Sequence, residues 1–353
     1  MIILGIETSC DETAAAVVEN GTKILSNVVA SSVELHQKTG GIIPEIAARE
    51  QIKCIIPVIN EAIKQSSNIT INNIDALAVT IGPGLIGSLL VGVETAKSLA
   101  YTWKKPIIPI NHLQAHLYAN WLTAVDGRRK AEDGLPEFPA VGLVVSGGHT
   151  DLVLMKGRGK IKWLGGTRDD AAGECFDKAA RVLSLGYPGG PAIATEATKF
   201  PIPNSQFLIK LPRPMIDDNN FDFSFSGLKT AVLRQAQDKL SKKKRAILAF
   251  EIQEAITDVL VAKTIRAAQK YQVKSILLAG GVAANKRLRD KFNSQLLQSN
   301  KLCLSILHSP FQFWCPSPKL CTDNAAYIAA CAYFNYQPVP WEKIKVEPGL
   351  RIC

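Results

Sequence analysis

The chain carries no basic leader ahead of its first apolar run, MIILGIE, and no uncharged apolar stretch long enough to cross a bilayer. These absences predict no signal peptide, no membrane association and a cytoplasmic location. Its eight cysteines (10, 54, 175, 303, 315, 321, 331 and 353) contain no C-x-x-C pair. That spacing argues against a zinc knuckle, a dithiol redox centre or a disulfide framework, and predicts reduced thiols. Histidine is scarce, at five residues. Two of them, His112 and His116 in NHLQAHLYANW, stand four apart, so on a helix both imidazoles leave one face. The zinc-protease motif H-E-x-x-H would need a glutamate after the first histidine as general base; Leu113 occupies that place. The pair is therefore a partial metal site or an ordinary helical pair, without the base of a protease.

What is present is enough apolar residue, 47% of 353, for about two domains with real cores. The net charge of +10 points to a polyanionic partner. Its densest runs are GRRK at 127–130, SKKKRAI at 241–247 and KRLRDK at 286–291. IILGIE, AAAVVE and KILSNVVA read as a three-stranded meander, with Asn20-Gly21 as a hairpin turn. A helix over 41–65, the strand IDALAVT, the glycine turn IGPGLIG, a second helix and the strand KPIIPIN follow. After a polar loop at 126–139 the order returns: AVGLVV, SGGHT, DLVLMK, GRGK and IKWLGG, a helix-rich stretch, then VKSILLAGGVAANKRLRDKF. The repeat predicts an α/β chain with a duplicated actin, Hsp70 and sugar-kinase-like (ribonuclease H-like) fold, whose two lobes flank a ligand cleft. The expected lobes are 1–137 and 138–330, with 331–353 as a C-terminal helix end and tail.

The turn TSCDET sets the carboxylates of Asp11 and Glu12 between two strands. Its counterpart SGGHT (Ser146, Gly147, Gly148, His149) has glycines that let backbone N–H groups approach an anion, and two such turns facing each other would clamp a phosphate. Gly280-Gly281 opens a helix after an apolar strand, and Asn285 there is either a ligand donor or a cap. Asp177 and Lys178 read as a surface pair or as site residues, and YPGGP as a turn able to meet a ligand. Asp323 is most simply a helix N-cap. Should it reach the histidine pair, two imidazoles and one carboxylate would leave coordination positions open, a set suited to Fe(II) or another divalent metal that also accepts a substrate.

GIETSCDET, GGIIPEIAAREQ, IGPGLIGSLLVG, NHLQAH, VVSGGHT, DDAAGECFDKAAR, YPGGP, FSFSGLKTAV, LAGGVAANKRLR and CTDNAAYIA, in that order, resemble the tRNA threonylcarbamoyladenosine transferase family of bacterial TsaD type, formerly described as glycoproteases. The resemblance implies transfer of a threonylcarbamoyl group from threonylcarbamoyl-AMP to N6 of adenosine 37 in tRNAs reading ANN codons. It implies His112, His116 and Asp323 as ligands of one divalent metal per subunit, Fe(II) in first place and zinc or another ion as alternatives. Val145, Ser146, Gly147, Gly148, His149, Asp177, Gly190 and Asn285 correspond to the adenylate-binding positions. Asp11 is the candidate for orienting or deprotonating the amine, with Glu12 second. The implied partners are tRNA, a TsaB-like paralogue and a TsaE-like ATPase. A kinase or ATPase of the same fold is the alternative, and a metalloprotease is disfavoured by Leu113.

Overall fold

The computed structural model describes residues 1–123, 134–199, 209–236, 240–302 and 311–353, so the basic run 127–130 and most of the 126–139 loop lie outside it. The described residues form two compact units, Met1–Pro136 with Pro316–Cys353, and Glu137–Cys315.

In the first unit the meander is β1 (Ile2–Glu7), β2 (Glu12–Glu19) and β3 (Lys23–Ser31). Asn20 and Gly21 both take positive φ (52° and 69°) in the connection between the paired residues Glu19 and Lys23, a left-handed backbone that Asn-Gly supplies at least cost. The chain continues through α1 (Val33–Thr39), α2 (Pro44–Gln65), β4 (Ala76–Gly82), α3 (Ile86–Trp103), β5 (Ile107–Asn111) and α4 (His112–Tyr118). The sheet order is β3-β2-β1-β4-β5, with β1, β4 and β5 parallel. β1 and β4 are almost entirely buried, which is why their sequences run apolar instead of alternating.

The second unit repeats the plan. β6 (Ala140–Val145), β7 (Thr150–Gly157) and β8 (Lys160–Gly166) form the meander, and α5 (Ala172–Val182), α6 (Gly189–Ala197), α7 (Ser226–Gln235) and α8 (Lys242–Lys270) follow. β9 (Ser275–Ala279), α9 (Lys286–Leu302) and β10 (Gln312–Trp314) complete it. Its order, β10-β9-β6-β7-β8, is the first sheet's order element for element, so the duplication expected from sequence is a duplication of topology.

One boundary differs from expectation. Residues 316–330, assigned from sequence to the second lobe, belong to the first unit, where α10 (Pro318–Cys321) and α11 (Ala326–Phe334) return. α11 packs on β1 and α4, and Gly5 makes this possible: a Cβ there would stand 2.4 Å from the Ala325 carbonyl. Helical periodicity marks α11 as a buried helix but holds no information on which of two similar sheets it covers.

Candidate functional site

α4 starts where β5 ends. Asn111 caps it, its Oδ1 accepting from the N–H groups of Leu113 (3.0 Å) and Gln114 (3.1 Å), and this fixes the helix phase that turns His112 and His116 inward. Asp323, just ahead of α11, meets them. Its Oδ1 lies 3.7 Å from His112 Nε2 and 3.4 Å from His116 Nε2, and one donor atom from each residue falls within 4.8 Å of the others. Asp323 is not the helix cap: Asn324 Oδ1 accepts the Ala326 N–H instead, at 3.1 Å, so Asp323 is free to face the histidines. Tyr327 hydroxyl donates to Asp323 Oδ1 at 3.3 Å and its ring packs against His116 at 4.6 Å.

The three residues fit a divalent metal. Among the described residues neither ring nitrogen of fully buried His116 makes a well-formed hydrogen bond, Nε2 having only the Asp323 oxygen at 3.4 Å, a costly arrangement that an ion would relieve. Behind His112 stands Glu7, at the end of β1 and wholly buried. Its carboxylate accepts from the Ser9 N–H, from Thr80 Oγ1 at 2.6 Å and from His112 Nδ1 at 3.0 Å, which leaves His112 Nε2 to point at Asp323. Burial pulls the His112 pKa down, but the Glu7 and Asp323 carboxylates outweigh it and lift it to about 9. Burial and the neighbouring His112 hold His116 below its usual value. Burial alone would raise Asp323; the two histidines and Tyr327 drive it far below the usual carboxylate range.

The TSCDET turn abuts this cluster, Ser9 Oγ standing 3.4 Å from His112 Nδ1. Gln51 of α2, 1% exposed, holds the turn from behind. Its amide NH2 donates to the carbonyls of Thr8 (3.3 Å), Cys10 (3.0 Å) and Glu12 (3.0 Å), and Ser88 Oγ adds a bond to Cys10 O at 3.1 Å. Thus GGIIPEIAAREQ and IGPGLIGS supply the scaffold of the turn that presents Asp11. Burial, followed by the charges of Asp323 and Asp11, pushes Glu12 well above the usual carboxylate range. Gln51→Leu is expected to leave carbonyls unpaired at a cost on the order of 1–3 kcal/mol. Urea denaturation measures it, and an unchanged midpoint would remove the clamp from the account.

In the second unit Val145–His149 stand at the carboxyl end of β6 and Asn285 follows β9, while Asp177 lies on α5 and Gly190 on α6. Ser146 N–H donates to His149 O at 2.9 Å and His149 N–H to Ser146 Oγ at 3.2 Å, closing the SGGHT turn directly after Val145. α5 packs on it through Gly173, whose N–H donates to Ser146 O at 3.2 Å. Gly280 (φ 90°) lies against Val145, where a Cβ would meet its carbonyl at 2.4 Å. By contrast, a Cβ at Gly147, Gly148, Gly190 or Gly281 would meet nothing within 4 Å, so these four glycines border open space. Asp177 Oδ1 accepts the Gly189 N–H at 2.7 Å and so orients the YPGGP turn. Lys178 pairs with Asp170 (2.6 Å) and Glu174 (2.8 Å), not with its neighbour Asp177. Asn285 caps α9, accepting from Leu288 N–H at 3.1 Å, while its amide donates to Gln253 at 3.0 Å.

Residues 23–330 match the family model of tRNA N6-adenosine threonylcarbamoyltransferase, TsaD. The enzyme of that name from Syntrophomonas wolfei is 50% identical over 338 residues, covering 95% of this chain and 92% of the relative; that from Thermomicrobium roseum is 48% identical over 361 residues, covering 96% and 92%. The chain belongs to the tRNA N6-adenosine threonylcarbamoyltransferase family. Two solved structures share the fold at low identity. Component A of Acidaminococcus fermentans (R)-2-hydroxyglutaryl-CoA dehydratase has a TM-score of 0.52 at 15% identity, covering 95% of this chain and 98% of its own. Full-length HypF, in its phosphate- and nucleotide-bound form, has 0.57 at 12%, covering 95% and 55%.

In this threonylcarbamoyltransferase, Glu7, Gln51, Thr80 and Tyr327 are site residues that motif reading passed over. Glu7 and Thr80 sit at the ends of apolar strands, and only the parallel pairing of β1 with β4 brings them together. The one available signal was a carboxylate closing an otherwise apolar strand.

Proposed function

We propose that the chain transfers the threonylcarbamoyl group of threonylcarbamoyl-AMP to N6 of adenosine 37 in tRNAs reading ANN codons, releasing AMP in the cytoplasm. The observation that supports it most is the cluster of His112, His116 and Asp323, assembled across the sequence in a chain half identical to enzymes of that name. In the reaction the N6–carbon bond forms, the carbon–oxygen bond to the AMP phosphate breaks, and the amine loses a proton. His112, His116 and Asp323 would hold the divalent metal, with Fe(II) first because two imidazoles and one carboxylate leave positions open. When bound, the metal supplies a Lewis acid for a carbonyl or phosphoryl oxygen. Val145 to His149, Asp177, Gly190 and Asn285 hold the adenylate, the open glycines admitting its phosphate to backbone N–H groups. Asp11 orients the exocyclic amine and accepts its proton, with Glu12 beside it as the second candidate. Leu113, 2% exposed, leaves no base at the protease position.

The partners proposed are tRNA, a TsaB-like paralogue and a TsaE-like ATPase. For the paralogue, the exposed side chains of Ile52 and Ile56 on α2 and of Ile86 and Leu90 on α3 form an apolar face where these two helices pack together. The test is incubation of purified chain and partners with threonine, bicarbonate, ATP and unmodified tRNA, followed by nucleoside analysis. Threonylcarbamoyladenosine with AMP release is expected. Release of ADP without modified nucleoside would favour a kinase or ATPase.

A further inference from the structure

Of the three basic runs conspicuous in the sequence, 127–130 lies outside the described residues and 286–291 is largely consumed inside the second unit. There Arg287 pairs with Glu254, Lys291 is buried against Glu254 and Asp258, and Arg289 Nε donates to the Ala283 carbonyl at 2.6 Å. These cations hold α9 to α8 and are unavailable to an outside anion. The third run, 241–247, leaves Lys242 and Lys243 exposed at the start of α8, and a larger outward-facing set lies on another element. Residues 152–168 contain Lys156, Arg158, Lys160, Lys162 and Arg168 and no acid, five positive charges in a chain of net +10. Arg168 is spoken for by Asp222 at 2.8 Å. The other four are exposed on the β7–β8 hairpin, and Lys156, Lys160 and Lys162 take part in no ion pair among the described residues.

β8 is the edge of its sheet. Lysine on an edge strand commonly serves to discourage pairing with another chain, and that duty alone could account for a charged hairpin. Two observations go beyond it. Edge protection is served as well by acids, yet from 152 to 168 every charge is positive, the hairpin's one acid, Asp151, standing at the start of β7. It is also poorly served by Trp163, which is 48% exposed on the same strand, its Nε1 donating to Asp151 Oδ1 at 3.0 Å. A run of like charges costs self-repulsion that is relieved when its cations pair with the phosphates of a nucleic acid and displace the counterions condensed there. Lys160 and Lys162, two residues apart, leave β8 on one face roughly 6–7 Å from each other, a spacing that lets consecutive cations address one extended polyanion.

We propose that the β7–β8 hairpin is an RNA-docking surface that grips the sugar-phosphate backbone through Lys156, Arg158, Lys160 and Lys162. This rests on tRNA being the substrate and adds where the chain holds it. The contacts are to phosphate, so they position the RNA without reading its bases.

The test compares binding of unmodified tRNA across a salt series by wild-type chain, K156A/K160A/K162A and a control, K242A/K243A, which removes two exposed lysines at the start of α8. The hairpin variant is expected to bind on the order of tenfold or more weakly at low salt and to lower the slope of log affinity against log salt by about 2, as three lost phosphate contacts require. Its affinity for threonylcarbamoyl-AMP should stay at the wild-type value, which shows the fold intact, and the control should lose far less. Wild-type affinity and slope in the hairpin variant would overturn the surface, as would an equal loss in the control, which would assign binding to the general field. A wild-type chain that binds no tRNA would instead overturn the substrate reading on which the surface depends.

Discussion

A chain with both His112 and His116 changed to alanine is expected to purify without stoichiometric metal while keeping its fold. Two of the three donor atoms are gone, and Asp323 alone, a single carboxylate on a helix approach, is no site for a transition metal. The two single variants should differ in stability. His116→Ala removes a buried ring whose nitrogens make no well-formed hydrogen bond among the described residues, so its cost is chiefly packing. His112→Ala strips the buried Glu7 carboxylate of its histidine, and breaking a buried charged pair costs about 3–5 kcal/mol. His112→Ala should therefore be the less stable of the two in thermal unfolding without metal. Elemental analysis reads the metal and circular dichroism the fold; full metal content in the folded double variant would reject the site.

Asp11→Ala should lower single-turnover transfer by roughly 10²-fold or more, the scale of losing a general base, while metal content and threonylcarbamoyl-AMP binding persist. The exocyclic amine of adenine is a weak nucleophile because its lone pair is delocalised into the ring, so a carboxylate that orients it and takes its proton has much to contribute. Asp11 stands on a rigid platform: its carbonyl accepts from Ser32 N–H (3.1 Å) and Ser32 Oγ (2.9 Å), and Gln51 clamps the carbonyls on either side of it. Glu12, pushed above the usual carboxylate range by burial and by the Asp323 and Asp11 charges, is the second candidate. Near-normal transfer by Asp11→Ala would take the residue out of the mechanism and point to proton loss assisted by the substrate itself.

Strands and hairpins were legible in the sequence because their signals are local. The Asn20-Gly21 turn, the paired meanders and the glycine junction after β9 all follow from patterns a few residues wide. The histidine pair was legible for the same reason, four residues being one helical turn. What local pattern left open is each partnership across long separations. Whether Asp323 caps a helix or faces His116 depends on α11 packing against β1. KRLRDK looks like a docking surface until α8 brings Glu254 and Asp258 to it from more than thirty positions away. The hairpin at 156–162 was hidden in the opposite sense: its cations alternate with glycine and apolar residues, so no dense run draws attention to them. Glu7 was overlooked because its partner is a histidine from a different strand end.

The return of residues 316–353 to the first unit also sets an order of events during synthesis. The second unit is one continuous stretch, Glu137–Cys315, and can close its core as soon as that stretch has left the ribosome. The first unit, although its strands are made earliest, must wait with the face of β1 at Gly5 uncovered until α11 arrives. The cluster that joins His112 and His116 to Asp323 then exists only in a chain that is almost finished, so a product terminated between Cys315 and Asp323 has a complete second unit but lacks the third residue of the cluster.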